Sequence, residues 1–96
     1  MLLQVKPQNI VTERGDKFII LGEERDSFLS YRIENQILDL YCAFVPEESR
    51  GNGHAISLIS YALQYAVLNE LWVKPNCAAV KAYLKLYPEW SYIINR

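Results

Sequence analysis

Six consecutive residues near the middle of the chain could bind an anionic ligand. They are Arg50, Gly51, Asn52, Gly53, His54 and Ala55, and the apolar periodicity of a helix begins directly after them. Gly51 and Gly53 allow the backbone to approach a ligand closely. The first N–H groups of a helix lack partners within it and lie at the positive end of its dipole, and Arg50 adds a permanent positive charge. The stretch therefore favours a phosphate or pyrophosphate site, although Asn52-Gly53 is also typical of a plain turn.

Cys77 is a second residue that could do chemistry. It opens the last predicted helix, where the positive end of the dipole favours the nucleophilic thiolate. The alternative is packing, because Cys77 shares one helical stripe with Val80, Leu84 and Tyr87 and a buried cysteine behaves as a small apolar residue. No histidine is evident beside it, so the sequence favours packing slightly.

The elements that would position these residues are a strand, a helix and a second strand. Residues 37–45 are almost all apolar, which predicts a central strand covered on both faces, and Pro46 ends it. Apolar residues then recur at helical spacing, which predicts a helix over about 53–69. The apolar segment 71–75 predicts a strand parallel to the first, because a crossover helix joins them.

The rest of the chain predicts a mixed sheet with helices. Strands over 17–21 and 27–33, joined by short polar turns, form an antiparallel meander with the central strand. Leu2, Leu3 and Val5 are expected to add a short edge strand. Asn76 is expected to cap a last helix, which Pro88 ends, and the apolar tail after it must pack or pair. The fold class is α+β, in one domain over 1–96.

Composition excludes several functional classes. The chain has 96 residues, a net charge of −1, 51% hydrophobic and 22% charged residues. Nucleic-acid binding would need a basic stripe, which is not evident. The start lacks the apolar core of a signal peptide and no run could span a bilayer, so we expect a cytoplasmic protein without a membrane partner. Two cysteines and one histidine predict free thiols and no metal site.

Two motifs carry a resemblance to a known family. Arg50-x-x-Gly53-x-Ala55 after an apolar strand resembles the acyl-CoA motif of the GNAT superfamily of N-acetyltransferases. Asn76-x-x-Ala79-x-x-x-Tyr83 is similar to the superfamily's other CoA-side motif. The stretches 44–47 and 73–77 resemble a small single-domain GNAT-like family. The resemblance spans roughly Phe18 to Trp90 and implies a compact GNAT-like fold.

The resemblance implies roles for particular residues. The turn from Arg50 to Ala55 would hold the pyrophosphate of acetyl-CoA, with Asn76 as a further CoA-side contact. The backbone of Phe44 and Val45 would pair with the pantetheine arm and polarise the thioester carbonyl. Tyr83 would protonate the departing CoA thiolate, or it is simply a helix tyrosine with a buried ring.

The same resemblance makes a covalent acyl step at Cys77 one hypothesis. His54 is expected to face the phosphates or solvent, and not to act as the general base.

Departures from the family pattern leave two functions open. The chain has Tyr41-Cys42-Ala43 where the small family is expected to carry an Asp-His-Thr-like run, and Pro88-Glu89-Trp90 replaces a Gly-Phe. Asp39 and Glu34 are the remaining nearby carboxylates. We therefore expect an N-acetyltransferase that passes the acetyl group of acetyl-CoA to a small amine or a protein amine. The alternative is a CoA-binding or interaction module that has lost transfer activity.

Overall fold

Among the residues that the structure describes, five strands form one mixed sheet, ordered as in the chain. The computed structural model describes residues 9–95, and the edge strand expected at Leu2, Leu3 and Val5 lies outside them. The strands are β1 (Thr12–Arg14), β2 (Lys17–Ile20), β3 (Ser27–Glu34), β4 (Ile37–Phe44) and β5 (Trp72–Pro75). Strands β1 to β4 are antiparallel, and β4 and β5 are parallel. The predicted meander and parallel pair are confirmed, and β1 is an addition that the sequence did not predict.

Two α-helices follow the strands that the apolar periodicity predicted. Helix α1 (His54–Leu68) connects β4 to β5, and helix α2 (Ala78–Leu86) follows β5. Short 3₁₀ segments cover Glu47–Ser49 and Pro88–Ile93. Pro88 follows the end of α2 because its ring cannot continue the helix. The tail then both packs and pairs: Ile93 is buried and Ile94 bridges to Val73.

The core lies between one face of the sheet and the helices. A single cluster of buried residues unites side chains of β2 to β5, α1 and α2: Phe18, Ile20, Leu29, Tyr31, Leu38, Leu40, Leu58, Ile59, Ala62, Leu63, Ala66, Val73, Cys77, Val80 and Ile93. On β4, Leu38 and Leu40 are buried, whereas Tyr41 and Cys42 are exposed. The prediction that both faces of this strand are covered is wrong, because only one face packs against the helices.

Two tight turns join antiparallel strands of the sheet. Gly15 and Asp16 form the turn between β1 and β2, and Gly15 has a φ of +64°. Asn35 and Gln36 have φ values of 53° and 64° between β3 and β4. Positive φ at both central residues is typical of the tight turns that match the twist of antiparallel strands. These turns place β4, the strand that leads to the candidate site, in the interior of the sheet.

Candidate functional site

Strand β4 carries one extra residue in its second half. Tyr31 pairs with Leu40 and Ser30 pairs with Cys42, so Tyr41 has no partner on β3. Such a β-bulge bends the strand and changes which residues face the core. Before the bulge Leu38 and Leu40 are in the core, and after it Ala43 packs against the same cluster. The bulge therefore turns the second half of β4 without losing its contact with the core.

The bulge coincides with the point where β4 and β5 separate. Their parallel register ends at the Leu40–Pro75 pair, and the Asn76 N–H donates to the Leu40 carbonyl at 2.9 Å. Strand β4 continues to Phe44 beside β3, while the chain after β5 turns into α2. Within residues 9–95, the edge of segment 41–44 on the β5 side has no strand partner. Unpaired backbone groups at a strand edge can bond an extended ligand.

The glycine turn lies at the same end of the sheet as this open edge. Gly51 and Gly53 have φ values of +88° and +77°, which residues with a Cβ rarely adopt. A Cβ at Gly51 would meet nothing within 4 Å, and one at Gly53 would lie 3.7 Å from the Asn9 side-chain nitrogen. The requirement for glycine is therefore first a requirement of backbone conformation. Close approach of a ligand to these glycines stays a prediction.

The N-terminus of α1 is uncapped. Its N-cap is Gly53, which provides no side chain, and the first backbone bond runs from the Ser57 N–H to the Gly53 carbonyl at 3.0 Å. The N–H groups of His54, Ala55 and Ile56 thus have no acceptor within the helix. A cavity of about 230 Å³ lies here, lined by Val45, Ser49, Arg50, Gly51, Gly53, His54, Ala55 and Ile56. Most of the residues predicted to bind the pyrophosphate therefore surround one cavity.

Arg50 and Asn52 link the glycine turn to other parts of the chain by hydrogen bonds. The Arg50 Nε donates to the Val45 carbonyl at 3.3 Å, and the rest of the side chain is exposed. The Asn52 carbonyl accepts a hydrogen bond from Asn9 Nδ2 at 2.8 Å. Arg50 therefore brings a positive charge to the rim of the cavity, while the Asn52 carbonyl is already engaged.

His54 is bonded into the protein. Its side chain is only 7% exposed, and its Nδ1 shares a 2.7 Å hydrogen bond with the hydroxyl of Ser27, which is fully buried. Of the two expected surroundings of His54, solvent is wrong, because the first turn of α1 packs its ring against β3, and a position facing the phosphates stays a prediction. The ring still borders the cavity.

Ser27 is a residue that sequence reasoning missed. It lies on the same face of β3 as the core residues Leu29 and Tyr31. Alternation along the strand would place a serine inside the core at this position. A buried hydroxyl requires a partner, and that requirement was the available signal.

Asn76 does not cap α2. The N-cap is Cys77, without a side-chain hydrogen bond, and the Asn76 Nδ2 donates to Asp39 Oδ1 at 2.9 Å. The predicted cap is wrong because Asn76 still pairs with β4 as the chain leaves β5. Asp39 also accepts a 3.2 Å hydrogen bond from Arg32 Nε, and the Arg32 guanidinium lies 4.6 Å from the Tyr41 ring centre. The hydrogen-bonded side chains of Asp39, Asn76 and Arg32 thus lie beside the point where β4 and β5 separate.

The two predicted catalytic residues lie in different environments. Cys77 is 7% exposed and belongs to the core cluster with Val80. Tyr83 is half-buried and its ring centre lies 4.6 Å from that of Tyr87. Six helical positions separate them, which is about 120° around the axis. Their predicted roles in chemistry remain predictions.

Two kinds of site are not found in the part of the chain that is described. Over residues 9–95, no group of histidine, cysteine and acidic side chains is arranged to hold a metal ion. In the same range, no helix combines the length and the apolar character that a membrane span requires.

Comparison with known proteins defines the class. The model of the GCN5-related N-acetyl-transferase family matches residues 17–93. The fold is similar to the solution NMR structure of a GCN5-like protein from Staphylococcus aureus, with a TM-score of 0.69 and 17% identity. That match covers 94% of this chain and 91% of the other. The fold is thus an α+β acyltransferase fold of the GNAT type, as predicted. The chain belongs to the GCN5-related N-acetyltransferase family.

Proposed function

We propose that the protein binds acetyl-CoA between the open edge of β4 and the N-terminus of α1, and transfers its acetyl group to an amine. One observation carries the proposal. An unpaired strand edge and an uncapped helix N-terminus beside a glycine turn lie together, where β4 leaves β5. The first suits an extended arm with amide groups, and the second suits a pyrophosphate. Acetyl-CoA contains both parts in one molecule.

The turn would bind the pyrophosphate through its backbone. The free N–H groups of His54, Ala55 and Ile56 act as donors, and the dipole of the 15-residue helix α1 favours the negative charge. The exposed Arg50 adds attraction at the rim. The Ser27–His54 bond holds the first residue of the helix, so the donors are arranged before the ligand arrives.

The edge of β4 would bind the pantetheine arm and activate the thioester. Phe44 and Val45 contribute backbone groups, and an N–H on this edge polarises the thioester carbonyl as negative charge develops on its oxygen. The Val45 carbonyl accepts from Arg50 in this structure. Arg50 must therefore release or share that carbonyl if Val45 bonds the arm.

Transfer would proceed by direct attack of the amine. The neutral nitrogen forms a bond to the acetyl carbon, the carbon–sulfur bond breaks, and CoA leaves as a thiolate. Tyr83 protonates that thiolate and regains a proton from solvent, and the proton that the amine loses passes to water or to a base. Direct attack is favoured over an acyl-cysteine route because Cys77 is buried in the core.

The second candidate function is a CoA-binding module without transfer activity. The observation that favours it is that the potential bases near the point of strand separation already bond other residues of the protein. Asp39 is paired with Asn76 and Arg32, and His54 is bonded to Ser27. Both side chains are already hydrogen-bonded and largely buried, with exposures of 13% for Asp39 and 7% for His54, so neither is an exposed, unbonded base. Tyr41, Cys42 and Ala43 replace the polar run expected in the small family.

Two measurements test the proposal in sequence. CoA at about 100 times its dissociation constant should stabilise the fold by about 2.7 kcal/mol, seen as a rise in melting temperature. The absence of a shift with millimolar CoA would eliminate both candidates.

If CoA binds, release of free CoA from acetyl-CoA with a panel of primary amines separates the two candidates. Tyr83→Phe should then lower kcat by about a hundredfold or more. The matched control is Tyr87→Phe, which alters the neighbouring ring just after the same helix and should leave kcat unchanged.

A further inference from the structure

A second cleft lies between β1 and the C-terminal half of α1. Its volume is about 420 Å³, and its lining residues are Glu13, Tyr61, Gln64, Tyr65, Leu68 and Asn69. Helix α1 runs from His54 to Leu68, so this cleft and the glycine turn lie at opposite ends of the same helix. The cleft therefore shares no lining residue with the proposed acetyl-CoA site.

The charged group of this cleft is a carboxylate held in place. The Tyr61 hydroxyl donates to Glu13 Oε2 at 2.7 Å. This bond, with burial, raises the pKa of Tyr61 to about 12. One carboxylate oxygen is fixed by this bond, and Oε1 remains able to accept from a ligand.

Two tyrosine rings in the cleft are fixed by the core. Tyr61 and Tyr65 each meet the ring of Phe18 edge to face, at centroid distances of 5.4 and 5.3 Å. Phe18 is fully buried, so both rings rest on a rigid base. Aromatic rings near a carboxylate attract cations through the negative charge of their faces.

Two further side chains offer acceptors to the cleft. The Gln64 amide nitrogen donates to Ser60 Oγ at 3.1 Å, and the Asn69 amide nitrogen donates to the Tyr65 carbonyl at 2.8 Å. Their amide oxygens are left to accept. Helix α1 ends at Leu68, which brings the negative end of its dipole. Among the described residues of the lining, none is basic.

We propose that this cleft is a binding site for a small quaternary ammonium ion. A fixed carboxylate, two aromatic rings, two amide oxygens and a helix C-terminus all favour a positive charge, and together they disfavour an anion. A volume of about 420 Å³ falls within the range of small-molecule sites. The proposal does not depend on acetyl-CoA binding, because the two sites occupy opposite ends of α1.

Choline and its neutral isostere 3,3-dimethylbutan-1-ol are the probes for this site. In titrations followed by ¹H–¹⁵N NMR, choline should shift the backbone amides of Glu13, Tyr61 and Asn69 with saturation. The alcohol has the same shape without the charge and should shift them weakly or not at all. If choline gives no saturable shift, or if the alcohol binds equally well, the proposal is wrong and the Glu13–Tyr61 bond merely joins β1 to α1.

Glu13→Gln tests the carboxylate itself. The amide oxygen can still accept from Tyr61, but the negative charge is gone. The dissociation constant for choline should rise by about twofold to fivefold, the range that one exposed ion pair contributes. Glu89→Gln, on the C-terminal 3₁₀ turn, is the matched control and should bind choline as the wild type does. An unchanged constant in Glu13→Gln would overturn the proposal.

Discussion

The starts of the two helices form a natural comparison. Helix α1 follows β4 and helix α2 follows β5, and these strands are parallel neighbours. Both helices therefore begin at the same end of the sheet, each with a positive dipole end. At α1 the N-cap residue is Gly53, which lies beside a cavity of about 230 Å³. At α2 it is Cys77, which is 7% exposed.

The difference shows that a dipole alone does not make a binding site. At α1 the glycine has no side chain, so the N–H groups behind it can be reached by a ligand. At α2 the thiol packs into the core cluster. The Cys77 thiol is therefore enclosed, whereas the N-cap position of α1 is exposed. The two helix starts have similar electrostatics and different access, and each of the following variants tests one side of that contrast.

Gly53→Val should have the largest effect, because it places a side chain at the accessible N-terminus of α1. We expect it to abolish measurable CoA binding in calorimetry. It should also cost about 1–2 kcal/mol or more in stability, since valine must adopt a left-handed φ. Gly15→Val is the matched control, because Gly15 has a φ of +64° and nothing within 4 Å of its Cβ position. It should be similarly destabilised yet bind CoA normally. If both variants bind CoA equally well, the glycine turn is not part of the binding site.

Cys77→Ser should have the next largest effect, and mainly on stability. A hydroxyl buried at this core position should lower the free energy of unfolding by about 1–3 kcal/mol, measured by urea denaturation. In the native protein, iodoacetamide should modify the exposed Cys42 quickly and Cys77 slowly. Intact-protein mass spectrometry after incubation with acetyl-CoA should find no acetyl group on Cys77. An acetylated Cys77 would contradict direct transfer.

Ser27→Ala tests the hydrogen bond between Ser27 and His54, which anchors the first turn of α1. It leaves the Nδ1 of buried His54 without its partner, which should cost about 1 kcal/mol. CoA affinity should fall a few-fold in calorimetry, because the first turn of α1 loses an anchor. Ser30→Ala changes a buried serine on the same strand that does not bond His54, and it should retain the affinity. Unchanged CoA binding in Ser27→Ala would show that the bond serves the fold alone.

Arg50→Ala should have the smallest effect. One exposed charge contributes at most about 1 kcal/mol, so the CoA dissociation constant should rise by about fivefold at low salt. The difference should nearly vanish at 1 M salt, where the screening length is about 3 Å. Arg14→Ala, on the exposed strand β1, should leave binding unchanged at both salt concentrations. A large effect that persists in high salt would indicate a direct bidentate contact instead of attraction at the rim.

Local patterns predicted most of the elements and part of the site. Apolar periodicity indicated β2 to β5 and both helices, because burial of one face is written into spacing along the chain. The glycines at 51 and 53 indicated a turn that needs positive φ, and the structure has it at both positions. The family resemblance located the same turn and is confirmed by the match over residues 17–93.

Strand β1 was missed because its residues carry no alternating pattern. Thr12, Glu13 and Arg14 are all exposed, so the strand is held by its backbone bonds to β2 and by the Tyr61–Glu13 contact. Neither is visible in a local window of sequence. The cleft between β1 and α1 was missed for the same reason, since Glu13 and Tyr61 lie 48 positions apart in the chain.

The sequence by itself determined the order of the elements, the glycine turn and the apolar face of each helix. Only the tertiary structure decided that Asn76 bonds Asp39, that Ser27 meets His54, and that Cys77 is enclosed. The bulge at Tyr41 and the separation of β4 from β5 also emerge only in three dimensions. The physical reason is that local spacing fixes which face is apolar, whereas partners distant in the chain are selected by packing and by the need to pair buried polar groups.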